Sequence, residues 1–192
     1  NNGTQSIDNG IDLAGEGGLT WIKYRDGQFG SGHYLFDTER GNASINSNGT
    51  DPEHSPDNRL NFDSSGFNVT INGGSATNAT DYRYVAWSFR KAPGFFDIQT
   101  WTGNDVAGRT IPHNLGTAPG MILVKRRNDT SNWVVYHKSL GATHPMVLNW
   151  YYAAEPITNR WNDTEPTSTE FTVGTWPTNG QDIDYVAYIF AD

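Results

Sequence analysis

Carboxylates two positions apart are the residues of this sequence best suited to acid–base chemistry. Because residues i and i+2 of a β-strand share one face, such a pair could supply the acid and the nucleophile of glycoside hydrolysis. The alternative, and the role we expect, is a solvated carboxylate that discourages pairing at a strand edge. The pairs are Asp37/Glu39, Asp51/Glu53, Asp163/Glu165 and Asp182/Asp184.

Oxygen ligands concentrate in one loop, where Asn46, Asn48, Asp51 and Glu53 are candidates for binding calcium. Calcium prefers hard oxygen donors, although this spacing does not match an EF-hand. No other cofactor is expected, because the glycine-rich stretch 15–18 lacks the lysine and the helix of a phosphate-binding loop. Calcium is therefore the one cofactor that the sequence suggests.

Other catalytic motifs are absent from the sequence. It contains no cysteine, which excludes disulfides, thiolate zinc sites and cysteine nucleophiles, and it has no Gly-x-Ser-x-Gly motif. The histidines do not pair at the spacing of a metal-binding helix. His113 falls in a predicted turn, where we expect its ring to bond the local backbone.

Aromatic residues in turn-rich stretches of the second half form the candidate binding surface. Flat rings stack on the apolar C–H faces of sugars, while nearby amides and carboxylates bond the sugar hydroxyls. Burial at an interface between modules or subunits is the alternative. The candidates are Trp150, Tyr151, Tyr152, Trp161 and Trp176.

Charge and composition exclude several classes of protein. A net charge of −8 disfavours a nucleic-acid partner, because neutralising phosphates requires a basic face. No apolar run approaches the roughly 18 residues of a membrane-spanning helix, so no membrane partner is expected. Aromatic residues make up 13 % of the chain, which indicates a folded rather than a disordered protein.

Five sequence blocks recur in the same order at a nearly constant offset, which indicates an internal duplication. The copies are predicted to span residues 1–92 and 93–192, and the first copy is expected to begin inside its opening strand. The matched blocks are 18–23 with 120–125, 34–37 with 134–137, 58–61 with 159–162, 66–69 with 170–173, and 84–89 with 185–190.

The hydrophobic periodicity is that of β-strands. Residues 169–173 alternate between polar and apolar, residues 182–190 become continuously apolar, and Gly, Asn and Pro mark turns at strand-length spacing. We therefore predict an all-β fold of two tandem antiparallel β-sandwich modules of jelly-roll type. The repeated aromatic residues expected in its core are Trp21, Tyr84, Trp87, Phe89, Tyr185, Tyr188 and Phe190.

Several motifs are recognisable beyond the repeat itself: Gly18-Leu19-Thr20-Trp21-Ile22-Lys23, Leu35-Phe36-Asp37-Thr38-Glu39-Arg40-Gly41, Tyr84-Val85-Ala86-Trp87-Ser88-Phe89-Arg90-Lys91-Ala92-Pro93-Gly94-Phe95-Phe96-Asp97, His113-Asn114-Leu115-Gly116 and Tyr185-Val186-Ala187-Tyr188-Ile189-Phe190. In these motifs the chain resembles a module repeated in structural proteins of tailed bacteriophages, many of them marine or cyanobacterial. Such proteins are labelled tail fibre, virion structural or concanavalin A-like lectin proteins. The resemblance covers nearly the whole chain and transfers no catalytic or sugar-binding motif to a numbered residue.

The resemblance implies a non-enzymatic module on the extracellular surface of a phage virion, in a tail fibre or receptor-binding protein. The expected partners are a host surface polysaccharide or another virion protein, and fibres of this sort are often homotrimers. The alternatives are an architectural capsid decoration or spacer and a polysaccharide depolymerase. Where the first copy carries Asp37 and Glu39, the second carries His137 and Ser139, so the repeat singles out no catalytic pair.

Overall fold

The computed structural model describes residues 3–26, 32–70, 76–151 and 153–192. Within these ranges the chain is nearly all β-structure in antiparallel sheets, which confirms the predicted all-β class. The chain divides into two compact units: the first is Asn1–Gly49 with Glu53–Lys91, and the second is Thr50–Pro52 with Ala92–Asp192. That the two units are copies of one module stays a prediction from the sequence.

The first unit is built from short strands joined by turns. Its described elements are β1 (Gln5–Asp8), α1 (Leu13–Glu16), β2 (Gly18–Tyr24), β3 (His33–Asp37), β4 (Ser44–Asn46), β5 (Leu60–Phe62), β6 (Gly66–Val69) and β7 (Tyr84–Arg90). The strands form one antiparallel sheet of order β1-β6-β5 and another of order β4-β3-β2-β7.

Apolar residues from both sheets of the first unit meet in one cluster, as in a β-sandwich. Ile22 of β2 and Phe36 of β3 belong to this cluster together with Phe67 and Val69 of β6. Leu13 of α1 is fully buried in the same cluster. Because side chains alternate along a strand, each sheet contributes every second residue to this core.

The second unit has longer strands and a larger core. Its described elements are β8 (Phe96–Thr102), β9 (Arg109–Pro112), β10 (Pro119–Arg126), β11 (Val134–His137), β12 (Met146–Val147), β13 (Glu170–Val173) and β14 (Asp184–Ala191). The strands form an antiparallel sheet of order β12-β11-β10-β14-β8 and a pair β13-β9.

The core of the second unit joins its sheet to its strand pair. Ile122 of β10 and Ala187 of β14 lie in one buried cluster with Ile111 of β9 and Phe171 of β13. β14 is buried on both faces, since Tyr188 is also inaccessible. This agrees with the continuously apolar character of that stretch of sequence.

One predicted core residue of the first unit is exposed. Trp87 of β7 is 46 % exposed, and its ring meets that of Trp21 edge to face at 6.1 Å. Tyr84 packs against the core cluster, and Tyr84 and Ala86 line the same pocket, so they share one face of β7. Because side chains alternate along a strand, Trp87 lies on the opposite face of β7. The prediction that Trp87 is a core residue is therefore wrong.

The helical content is confined to very short segments. Nowhere in the described ranges does the chain form a helix with the length and apolar character needed to cross a membrane.

Candidate functional site

A pocket of about 290 Å³ lies on the second unit where β10 ends and β11 begins. Its wall combines basic, aromatic, polar and apolar side chains. They are Arg126, Thr130, Ser131, Asn132, Val134, Pro145, Met146, Val147, Ile157, Arg160, Trp176 and Pro177.

Trp176 is the candidate aromatic residue that the structure places on this pocket. It is 54 % exposed, and the guanidinium of Arg126 lies over its indole ring in a cation–π arrangement. A Cβ atom on Gly180 would approach Trp176 Cε3 to 3.3 Å, so glycine at this position leaves room for the ring. Just over half of the surface of this residue is accessible to a ligand.

Arg126, the last residue of β10, is unusually buried for an arginine. Its side chain is 1 % exposed, and its Nη1 donates to Asp129 Oδ2 at 3.0 Å. Nη2 is buried with no hydrogen-bond partner among the residues that the structure describes. Burial lowers the pKa of Arg126, although Tyr185 and Asp129 partly offset this effect.

Arg160 is the second cation of the pocket. Its Nη1 donates to Asn159 Oδ1 at 3.1 Å and to the Trp176 carbonyl oxygen at 3.3 Å. Burial and repulsion by Arg126 lower the pKa of Arg160, and no carboxylate of the described residues counteracts them. The pocket therefore concentrates positive charge in a protein of net charge −8.

Buried backbone bonds hold the pocket wall in place. The Arg160 carbonyl oxygen accepts hydrogen bonds from Gly174 N at 3.1 Å and from Thr178 Oγ1 at 2.7 Å. Asn179 is fully buried and donates to Asn104 Oδ1 at 2.8 Å. The segments that carry Arg160 and Trp176 are thereby joined to each other below the pocket.

Trp150 and Tyr151 form a second exposed aromatic group close to the pocket. Their rings stack at 5.4 Å, and Tyr151 is 82 % exposed. The preceding residue, Asn149, donates to Asn132 Oδ1 on the pocket wall at 2.9 Å. Tyr152, which the sequence also suggests, lies outside the described residues.

Trp161 is not a surface residue. It is 1 % exposed and packs edge to face against Tyr136 at 5.9 Å and Phe171 at 6.3 Å. Its prediction as a binding residue is therefore wrong. Leu60, with which the predicted repeat aligns Trp161, is likewise buried in the core of its own unit.

One comparison with known proteins finds a match. A family model described as a domain of unknown function, DUF7483, matches residues 1–192. The chain belongs to this family. Comparisons with curated proteins and with solved structures find no match.

Two of the four calcium candidates bind other groups of the protein. Asn48 Oδ1 accepts a hydrogen bond from His33 N at 2.8 Å, and Glu53 pairs with Arg40 at 3.5 Å. Asp51 belongs to the second unit, whereas the other three candidates, Asn46 included, belong to the first. Within the described ranges, no three His, Cys, Asp or Glu residues stand close enough together to hold a metal.

Two of the candidate acid–base carboxylates bind other parts of the protein. Asp37 is fully buried and pairs with Arg40 at 2.5 Å. Glu165 accepts hydrogen bonds from Tyr136 Oη at 2.6 Å and from Ala142 N at 2.7 Å. Both carboxylates therefore fix turns and core groups at these positions.

His113 acts as the sequence predicts. Its Nδ1 accepts a hydrogen bond from Leu115 N at 3.2 Å, which closes the turn after β9. Burial lowers the pKa of His113, so the ring is neutral at physiological pH.

Lys125 of β10 is fully buried next to the pocket wall. Its Nζ donates to the carbonyl oxygens of Arg126 at 3.0 Å and Thr50 at 3.2 Å, and lies 3.4 Å from Ser131 Oγ. Burial and the charge of Arg126 lower the pKa of Lys125 to about 8.

We expect the free energy of unfolding to rise as the pH increases from about 8 towards 10. In this interval the unfolded chain, with an ordinary lysine pKa, binds more protons than the folded one. The Lys125→Met variant lacks this titration. Between pH 8 and pH 9.5, its free energy of unfolding should therefore rise by roughly 1–2 kcal/mol less than that of the wild-type protein. Urea unfolding of both proteins at several pH values measures the difference. Parallel pH profiles would contradict the prediction.

The sequence patterns do not predict the two arginines of the pocket. A signal was nevertheless present in the repeat. Arg59 pairs with Asp57, and the predicted repeat aligns Arg59 with Arg160 and Asp57 with Thr158. The carboxylate that neutralises one arginine is therefore missing from the sequence beside the matched Arg160.

Proposed function

We propose that the chain is a non-enzymatic binding module on the surface of a phage virion, within a tail fibre or receptor-binding protein. We further propose that its second unit contacts a host surface polysaccharide. The resemblance of the repeated blocks to tailed-phage structural proteins supports the virion part. The observation that carries the binding part is Trp176, whose exposed indole lies on a pocket with charged and polar walls.

The chemistry around Trp176 suits contact with a saccharide. Thr130, Ser131 and Asn132 offer hydroxyl and amide groups for sugar hydroxyls, and Trp176 offers an apolar face for C–H groups. The stacked pair that includes Tyr151 lies beside them. Contacts of this kind are weak singly, and repetition within an oligomeric fibre would multiply them.

The hydrogen bonds that two candidate carboxylates make within the protein support a role without catalysis. A catalytic acid and nucleophile must both reach the substrate, separated by about 5–9 Å. Asp37 and Glu165 are instead bonded to Arg40 and Tyr136 inside their own units.

Replacing Trp176 by alanine is expected to weaken polysaccharide binding about tenfold or more, because a central exposed ring contributes about 1.4 kcal/mol or more at such a site. The measurement is binding of the protein to an array of bacterial surface polysaccharides, followed by titration of each ligand that binds.

Trp87→Ala is the matched control, since it removes an exposed tryptophan of the first unit. It should leave binding unchanged. Equal loss in both variants would contradict the assignment to the second unit. No binding by the wild-type protein to any polysaccharide would refute the proposed function and favour an architectural spacer.

A further inference from the structure

The pocket beside Trp176 carries two guanidinium groups and little to neutralise them. Arg126 has one partner carboxylate, Asp129, which meets its Nη1 and leaves Nη2 buried without a hydrogen bond in the described part of the chain. A buried polar group left unbonded is costly, and a charged one more so. The pocket is thus deficient in an acceptor at Arg126.

Arg160 lacks a carboxylate partner among the described residues. Its side chain donates to the neutral oxygens of Asn159 and of the Trp176 backbone. Arg59, which the predicted repeat aligns with Arg160, is bound by Asp57 through both Nε and Nη2. The Arg59 charge is therefore neutralised within the first unit, whereas among the described residues no carboxylate binds Arg160 in the second.

The two guanidiniums are close enough to repel each other. Burial and the neighbouring charge of Arg126 both lower the pKa of Arg160. An anion placed between the two groups would remove this repulsion and supply the acceptor that Nη2 lacks. Arginine forms bidentate bonds with carboxylates, which makes a carboxylate a well-matched ligand.

The size and lining of the pocket restrict the chemical group to which the ligand carboxylate can be attached. A volume of about 290 Å³ is at the small end of ligand pockets and suits a single ring-sized group. Ser131 and Asn132 provide hydrogen-bonding groups on one part of the wall, and Met146 and Ile157 are apolar. A ring bearing hydroxyls, one apolar face and one carboxylate meets all of these requirements.

We propose that this pocket binds an acidic sugar residue, with its carboxylate on Arg126 and Arg160 and its ring against Trp176. The inference rests on the proposed function and specifies its ligand class: polysaccharides that contain uronic acids or related carboxylated sugars. Neutral polysaccharides would bind less tightly, because they leave both arginines unneutralised.

The test compares two probes that differ in one group, methyl β-D-glucuronide and methyl β-D-glucoside. Binding to the full chain is followed by NMR through the indole N–H signal of Trp176, assigned with the Trp176→Phe variant. We expect the glucuronide to bind at least about tenfold more tightly than the glucoside, as one charge-assisted bond contributes at least that factor. The difference should shrink as salt is raised.

The Arg160→Gln variant should lose at least about tenfold in affinity for the glucuronide and little for the glucoside. Arg160→Lys keeps the charge without the bidentate fork and should give an intermediate affinity. Arg90→Gln is the matched control, since it removes an exposed arginine of the first unit, and it should change neither affinity.

Equal affinities of the wild-type protein for the two glycosides would overturn the inference and leave the proposed polysaccharide binding standing. Failure of the glucuronide to bind, with polysaccharides still bound on the array, would do the same. Competition by inorganic sulfate at the affinity of the glucuronide would show a simple anion site and would also overturn the acidic-sugar assignment. These wild-type measurements decide the matter even if an arginine variant folds poorly.

Discussion

Replacing Gly174 by alanine is expected to destabilise the second unit by about 3 kcal/mol or more. A Cβ atom at this position would overlap the backbone carbonyl group of Asn159. Unlike a side chain, this carbonyl group cannot change rotamer to relieve the overlap. The same close approach allows Gly174 N to donate to the Arg160 carbonyl oxygen at 3.1 Å. The substitution should therefore also displace Arg160 and weaken ligand binding at the pocket.

Chemical denaturation followed by tryptophan fluorescence measures this effect, because Trp161 lies in the core of the same unit. Gly49→Ala is the control, since the nearest atom to its added Cβ is Asn46 Cβ at 3.8 Å, an ordinary contact. A Gly174→Ala protein with wild-type stability would show that the two backbone segments are not in contact as described.

Replacing Asp37 by alanine is expected to cost about 3–5 kcal/mol, because it leaves a buried arginine without its main counter-charge. Both side chains of the Asp37–Arg40 pair are fully inaccessible to solvent. The Arg40 guanidinium would keep contacts with the Leu35 carbonyl oxygen at 2.9 Å and with Glu53 at 3.5 Å, and the latter distance is long for an ion pair. Asp37 also accepts a hydrogen bond from Arg40 N at 2.9 Å, so the turn after β3 would loosen as well.

Thermal or urea unfolding of the variant tests this expectation. Glu16→Gln is the comparison, because Glu16 pairs with Arg90 at a site where both side chains are about half exposed. Such surface pairs contribute less than about 1 kcal/mol. If the two variants lost similar amounts of stability, Asp37 would not be the structural anchor assigned to it.

The strand framework follows from local patterns in the sequence. The continuously apolar run becomes β14 and is buried along most of its length, as expected, and the alternating stretch becomes β13. In β13, however, Thr172 is buried together with Phe171 and Val173, so burial there does not follow the alternation. Turn residues are recognisable in the sequence because their effect depends on only a few neighbouring positions. The role of His113 in its turn was predictable on the same basis.

The candidate site was predictable only in part. Trp161 and Trp176 both lie in turn-rich stretches and look equivalent in the sequence, yet one is fully buried and the other is more than half exposed. What separates them is contact with Tyr136 and Phe171, which are distant in sequence. Local composition carries no information on such contacts.

The sequence by itself determined the all-β class, the strands with the clearest hydrophobic patterns, and an absence of cysteine chemistry. Only the tertiary structure decided that Arg126, Arg160 and Trp176 share one pocket. The physical reason is that periodicity specifies which face of a strand is apolar, whereas charge in a pocket depends on which partners the fold brings near. Asp129 reaches Arg126 and no described carboxylate reaches Arg160; the repeat shows that Arg160 lacks an adjacent aspartate, but the fold decides whether any distant carboxylate takes its place.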